Sequence, residues 1–103
     1  MLQHLADQKV QRLEGEREAL LTALRSLLPS GERVWVFGSL IDPVRFSDAS
    51  DIDLALERRP SSFSDYWLQG ELELRLGRRV DLVLLPESRL REKILWEGHL
   101  WTL

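Results

Sequence analysis

The sequence contains no cysteine. Disulfides, thiolate nucleophiles and cysteine-based zinc sites are therefore excluded, and the composition is compatible with an intracellular setting. Positive charge is also in short supply: 14 Lys and Arg against 17 Asp and Glu leave a formal net charge of −3. A protein held to its partner by polyanion electrostatics needs the opposite balance, so direct nucleic-acid binding is not expected. Long apolar runs are missing as well. No stretch approaches the roughly 20 apolar residues of a membrane span, and Asp7, Lys9 and Arg12 interrupt the N-terminus before a signal-peptide core can form. A soluble, cytoplasmic protein without membrane contact is the expectation. The two histidines, His4 and His99, have no metal-ligand partner by spacing.

What is present suffices for one core. A chain of 103 residues, 44% of them hydrophobic, matches one small domain over 1–103, without repeats, low-complexity stretches or linkers. Apolar residues from Leu5 to Leu28 recur mainly at helical spacing, which predicts one or two amphipathic helices in segment 1–29, with Gly15 as the point of interruption. Pro29-Ser30-Gly31 ends the pattern. Arg33 to Phe37 is rich in β-branched and aromatic residues and reads as a short buried strand closed by Gly38. Ser39 to Arg45 is compatible with a short helix limited by Pro43, and Phe46 to Ser50 with a loop.

Asp51 to Leu56 reads as a second strand and Arg79 to Leu85 as a third. Between them Ser61 or Ser62 caps a helix from Phe63 to Leu76 that Gly77 stops. A last helix is expected over Ser88 to Glu97, ended by Gly98, with an extended tail from His99 to Leu103. The fold class is thus α/β (α+β): a small mixed β-sheet of three to four strands packed with helices.

Side chains alternate along a strand, so Asp51 and Asp53 share one face while Ile52, Leu54 and Leu56 take the other. Two like charges on an otherwise apolar strand repel, and a divalent cation turns that repulsion into attraction. Oxygen ligands favour Mg²⁺ or Mn²⁺ over zinc. Asp81, inside Val80-Asp81-Leu82-Val83, repeats the situation, and if its strand lies beside that of Asp53 the carboxylates complete a two-metal cluster for phosphoryl chemistry. Gly38-Ser39 offers the complementary half, a glycine permitting close phosphate approach and amides that attract anions. Each feature alone has an ordinary reading: Gly-Ser as a turn, Asp51 as a turn residue, Asp53 on the solvent face of an edge strand. Their order along the chain is what points to a site.

Gly38-Ser39, then Ser50-Asp51-Ile52-Asp53-Leu54, then Val80-Asp81-Leu82-Val83, and finally Ile94-Leu95-Trp96-Glu97-Gly98 together resemble the minimal nucleotidyltransferase (MNT) family of the DNA polymerase β superfamily, over Arg33 to Trp101. The resemblance implies a polymerase β-like nucleotidyltransferase fold with a catalytic core over 33–101. It implies that Gly38 and Ser39 hold nucleotide phosphates, that Asp51 and Asp53 bind two Mg²⁺ ions, and that Asp81 completes the cluster and helps activate the acceptor hydroxyl. The implied reaction is transfer of AMP from ATP. Members of this family are often paired with a helical HEPN toxin, whose tyrosine the MNT antitoxin modifies, which implies a hetero-oligomer here. The alternatives are a binding antitoxin with little turnover and a subunit acting on a small aminoglycoside-like acceptor.

Two features depart from the family pattern. The Leu40–Ser50 loop is slightly longer than usual, and Leu40 replaces the arginine that commonly follows Gly-Ser. Arg45, in the same loop, is a candidate to restore that charge for nucleotide binding. Arg89, Arg91 and Lys93 read as a solvated helix face rather than a nucleotide clamp. Trp35 is assigned to the core, while Trp67, Trp96 and Trp101 suit either core or contact surface.

Overall fold

The computed structural model describes Leu2 to Leu103, with side chains from Asp7 onward, so the His4 side chain lies outside the described residues. The elements are α1 (Leu2–Leu27), β1 (Arg33–Phe37), β2 (Ile52–Leu56), α2 (Asp65–Leu76), β3 (Val80–Leu84), α3 (Arg91–Glu97) and β4 (His99–Thr102). Short 3-10 turns occupy Gly38–Ile41 and Leu85–Glu87. The four strands form one mixed sheet in the order β3-β2-β1-β4, with β2 and β3 parallel and the other two pairs antiparallel. A parallel pair needs a crossover, and α2 provides it. No described helix is long and apolar enough to cross a membrane.

Strand alternation divides the core unequally. Val34 and Val36 of β1, Ile52, Leu54 and Leu56 of β2, and Val80 and Leu84 of β3 all turn to one face, where they pack with Leu13, Leu20 and Leu24 of α1 and Leu68 and Leu72 of α2. The opposite face carries a smaller cluster, Ala55, Leu85 and Ile94 with Trp35, Phe37 and Val83, covered only by the seven-residue α3. Part of that face is therefore left open.

Several boundaries differ from the sequence expectation for local reasons. The N-terminal segment is one helix through Gly15, because Leu13 and Leu20 are buried on either side of it and their packing outweighs the glycine's low propensity. The helix expected over Ser39–Arg45 is reduced to the 3-10 turn before Pro43. Ser64, not Ser61 or Ser62, caps α2: its Oγ accepts a hydrogen bond from the Trp67 N–H at 3.0 Å, and Phe63 stacks on Trp67 with ring centroids 4.7 Å apart. Ser88 keeps an extended backbone and its Oγ accepts from Leu90 N, so α3 begins only at Arg91. The tail is a strand, as expected, and pairs with β1. Trp35 is half-buried rather than core, its indole N–H donating to Glu57 at 3.0 Å, whereas Trp101 packs against the main core and Trp96 is 88% exposed.

The N-terminal helix docks on this domain and fixes the loop that precedes β2. Arg17 donates to the Leu40 carbonyl at 2.8 Å, Lys9 to that of Val44 at 3.0 Å, and Arg12 pairs with Asp48 at 3.1 Å. From the other side Arg78 donates to the carbonyls of Ser47, Asp48 and Ser50 and pairs with Glu16, while its guanidinium lies 5.3 Å from the centroid of buried Phe46. Three carbonyls satisfied by one nearly buried cation hold the loop where packing alone does not. Arg78→Ala is expected to lower stability by about 2–3 kcal/mol, the scale for losing charged hydrogen bonds, and to open residues 42–50 to protease; urea denaturation and limited proteolysis check it.

Candidate active site

Strand register brings the chemistry together. Phe37 of β1, Asp53 of β2 and Asp81 of β3 are consecutive partners across three strands, all on the open face of the sheet. The side-by-side placement of Asp53 and Asp81, conditional in the sequence, is thus realised by the parallel β2–β3 pairing. Asp51 stands one residue before β2, exposed.

Gly38, directly after Phe37, has φ of 73°, a left-handed value that favours glycine. A Cβ built there would collide with the Asp53 carboxylate, passing 3.1 Å from its Cγ. Gly38 is therefore required both for the turn and for room beside Asp53. The Ser39 hydroxyl donates to the Asp51 carbonyl over 3.4 Å, tying the turn to the entry of β2.

A cavity of about 200 Å³ opens over this row. Gly38, Arg45, Asp53, Asp81, Lys93 and Glu97 form its polar lining and Phe37, Val83, Leu90 and Ile94 its apolar wall. Ser39 and Asp51 stand outside that lining. Arg45, a sequence candidate, is inside it. Lys93 and Glu97 were missed as site residues; Lys93 is exposed, as a solvated helix face requires, and borders the cavity as well. The overlooked signal is helical period: Leu90, Lys93 and Glu97 flank buried Ile94 at i, i+3, i+4 and i+7, which is one face of α3.

Electrostatics mark the same place. The Asp53 carboxyl is pushed up from 3.8 to about 6, first by burial, then by the like charges of Asp81 and Asp51, with Arg45 opposing. A centre that disfavours its own negative charge is suited to a cation. Among the described residues no group of three or more Asp, Glu, His or Cys is gathered closely enough to hold a metal ion by itself. The donor set nevertheless fits Mg²⁺, which is commonly held by one or two carboxylates while water and substrate phosphates complete its shell.

The family model described as a nucleotidyltransferase domain matches residues 17–100. The chain belongs to the nucleotidyltransferase domain family. The match begins within α1. Two solved structures share the nucleotidyltransferase fold. One is a crystal structure of a toxin–antitoxin with AMP-PNP, at TM-score 0.64 and 24% identity, covering 84% of this chain and 73% of that one. The other is a crystal structure of the toxin–antitoxin MntA-HepT, at TM-score 0.60 and 23% identity, covering 87% and 73%. No curated protein matches the chain closely enough to count as a relative.

Two outcomes follow for this nucleotidyltransferase site. Because folding raises the Asp53 pKa, the folded state holds more protons than the unfolded chain between about pH 4 and 6, so this group's contribution makes stability fall as pH rises through that window. In metal-free protein the stability of Asp53→Asn relative to wild type should therefore rise from pH 4 to pH 7; thermal melts across that range measure it. Gly38→Ala should cost about 1–3 kcal/mol, from left-handed strain, and displace the Asp53 carboxylate; thermal unfolding measures the cost.

Proposed function

We propose that this nucleotidyltransferase domain moves AMP from ATP to a hydroxyl of a protein partner, releasing pyrophosphate with Mg²⁺ as cofactor. The observation that carries the reading is the register that seats Asp53 beside Asp81 with Gly38 folded against them. Asp53 and Asp81, aided by Asp51, would hold the metal ions, two in the complete site. Bound Mg²⁺ lowers the pKa of the acceptor hydroxyl and offsets charge on the triphosphate.

The chain's own groups do the rest. The Gly38-Ser39 turn presents backbone amides to the phosphates, and Arg45 adds a cation at the cavity. Asp81 orients the acceptor hydroxyl and takes up its proton as the oxygen attacks the α-phosphorus. The bond from the α-phosphorus to the bridging oxygen breaks in line, and the electron pair leaves with pyrophosphate.

The acceptor we propose is a tyrosine of a HEPN-type toxin, with this chain as the cytoplasmic antitoxin. Two things support it: the family resemblance, and the fold shared with toxin–antitoxin structures, one of them holding AMP-PNP. The domain's one open face leaves acceptor recognition to a partner. A second reading, an antitoxin acting by binding with little turnover, is favoured by one observation: Leu40, in the position of the usual arginine, is buried (1% exposed) and brings no charge to the site.

Purified protein incubated with labelled ATP, Mg²⁺ and a HEPN-type toxin should label that toxin. Asp53→Asn and Asp81→Asn should each reduce labelling by at least 100-fold, a loss on the scale of removing a transition-state electrostatic contact. Full activity in either variant overturns the catalytic reading. Tight association without labelling in wild type assigns the binding antitoxin instead.

A further inference from the structure

The position after Gly38-Ser39 carries no charge, so the cations available to a polyphosphate must come from elsewhere in the fold. Most are engaged with protein groups. Arg33 pairs with Glu57, Arg58 with Glu32, Arg59 with Asp65 and Glu87, and Arg75 with Glu71. Lys9, Arg12, Arg17 and Arg78 brace the 42–50 loop and the adjoining turn.

Two cations at the cavity are different. Arg45 and Lys93 enter it from separate elements, the loop and α3; like Arg25, Arg79, Arg89 and Arg91 they make no side-chain hydrogen bond or ion pair with a described residue, but these two alone among the cations line the space that three carboxylates share, where Arg45 acts on Asp53 by charge. For Lys93 the candidate partner on the same helix face is Glu97, one turn later. A lysine N-terminal to its glutamate is the weaker order for such a pair, since each charge then opposes the helix dipole. Lys93 is thereby left free while Ile94, its buried neighbour, fixes the helix against Ala55 and Leu85.

We infer that Lys93 is the specificity-determining cation for the polyphosphate: its ammonium grips the β- and γ-phosphates of a nucleoside triphosphate seated at Gly38-Ser39, across the cavity from Arg45. The inference rests on the nucleotidyltransferase reading and extends it to a residue on α3. A lysine suits the role as a compact charge with three donors on a flexible stem, able to follow a chain of phosphates. An ammonium that contacts only the outer phosphates separates triphosphate from monophosphate, because AMP offers nothing at that end. Grip by α3 also places the nucleotide against the apolar wall of Val83, Leu90 and Ile94 that the same helix helps to form.

The test is competition by ATP and by AMP against a fluorescent ATP analogue, in Mg²⁺, on the full chain. Lys93→Ala should weaken ATP about tenfold, the scale of one charge-assisted contact, leave AMP within twofold, and melt like wild type. Lys93→Arg should recover most of the ATP affinity. Unchanged ATP affinity in Lys93→Ala overturns the inference alone, as does an equal loss for ATP and AMP, which signals a general disturbance of the cavity. Failure of the wild type to bind ATP overturns the nucleotidyltransferase reading and this inference with it.

Discussion

Two carboxylates that repel each other sit side by side because their backbones have no alternative. The parallel pairing of β2 with β3 sets Asp53 opposite Asp81, and the register is locked by what lies beneath: Ile52, Leu54 and Leu56 on one strand, Val80 and Leu84 on the other. Slipping either strand by one residue would bury the aspartates and expose those apolar side chains. Hydrophobic burial on one face thus imposes electrostatic tension on the other, and the Asp53 pKa is raised first by its own burial and then by the like charges of Asp81 and Asp51. The shape of the domain follows from that division of labour, with two long helices over the apolar face and one short helix beside the charged one.

The loop before β2 shows a second mode of construction. Residues 42–50 contribute only Phe46 to the buried core, so their order comes from polar groups on α1 and from Arg78. Arg78 lies just after α2 and just before β3, so one guanidinium joins the crossover, the loop and α1. Arg45 is carried on this loop, and its approach to Asp53 depends on those anchors. The N-terminal helix is accordingly a structural part of the site, although none of its described side chains lines the cavity.

The open sheet face also explains how charge is distributed. Eight cations elsewhere are paired or hold protein oxygens, while Arg45 and Lys93 make no ion pair and line the cavity beside Asp53, Asp81 and Glu97. Such a set of opposite charges held apart is a poor arrangement for the isolated fold. It is a good one for a ligand that brings both phosphate and a metal ion, each of which satisfies one half.

Much of this was legible in the residues themselves. Alternation in Asp51 to Leu56 assigned the apolar and acidic faces of β2, breaker chemistry at Pro29-Ser30-Gly31 and Gly77 marked helix ends, and Gly38-Ser39, Asp53 and Asp81 named the family. Those are local properties, decided by sterics, periodicity and the chemistry a single side chain can perform. The fold alone decided what depends on contacts distant in sequence: that α1 runs unbroken through Gly15 and belongs to the core, that Arg78 holds a loop about thirty residues away, and that Lys93, exposed on α3, also borders the cavity. The physical reason is that a charged residue reads alike in sequence whether water or a site receives it; only the packing of its neighbours, here Ile94 against Ala55 and Leu85, determines where it points.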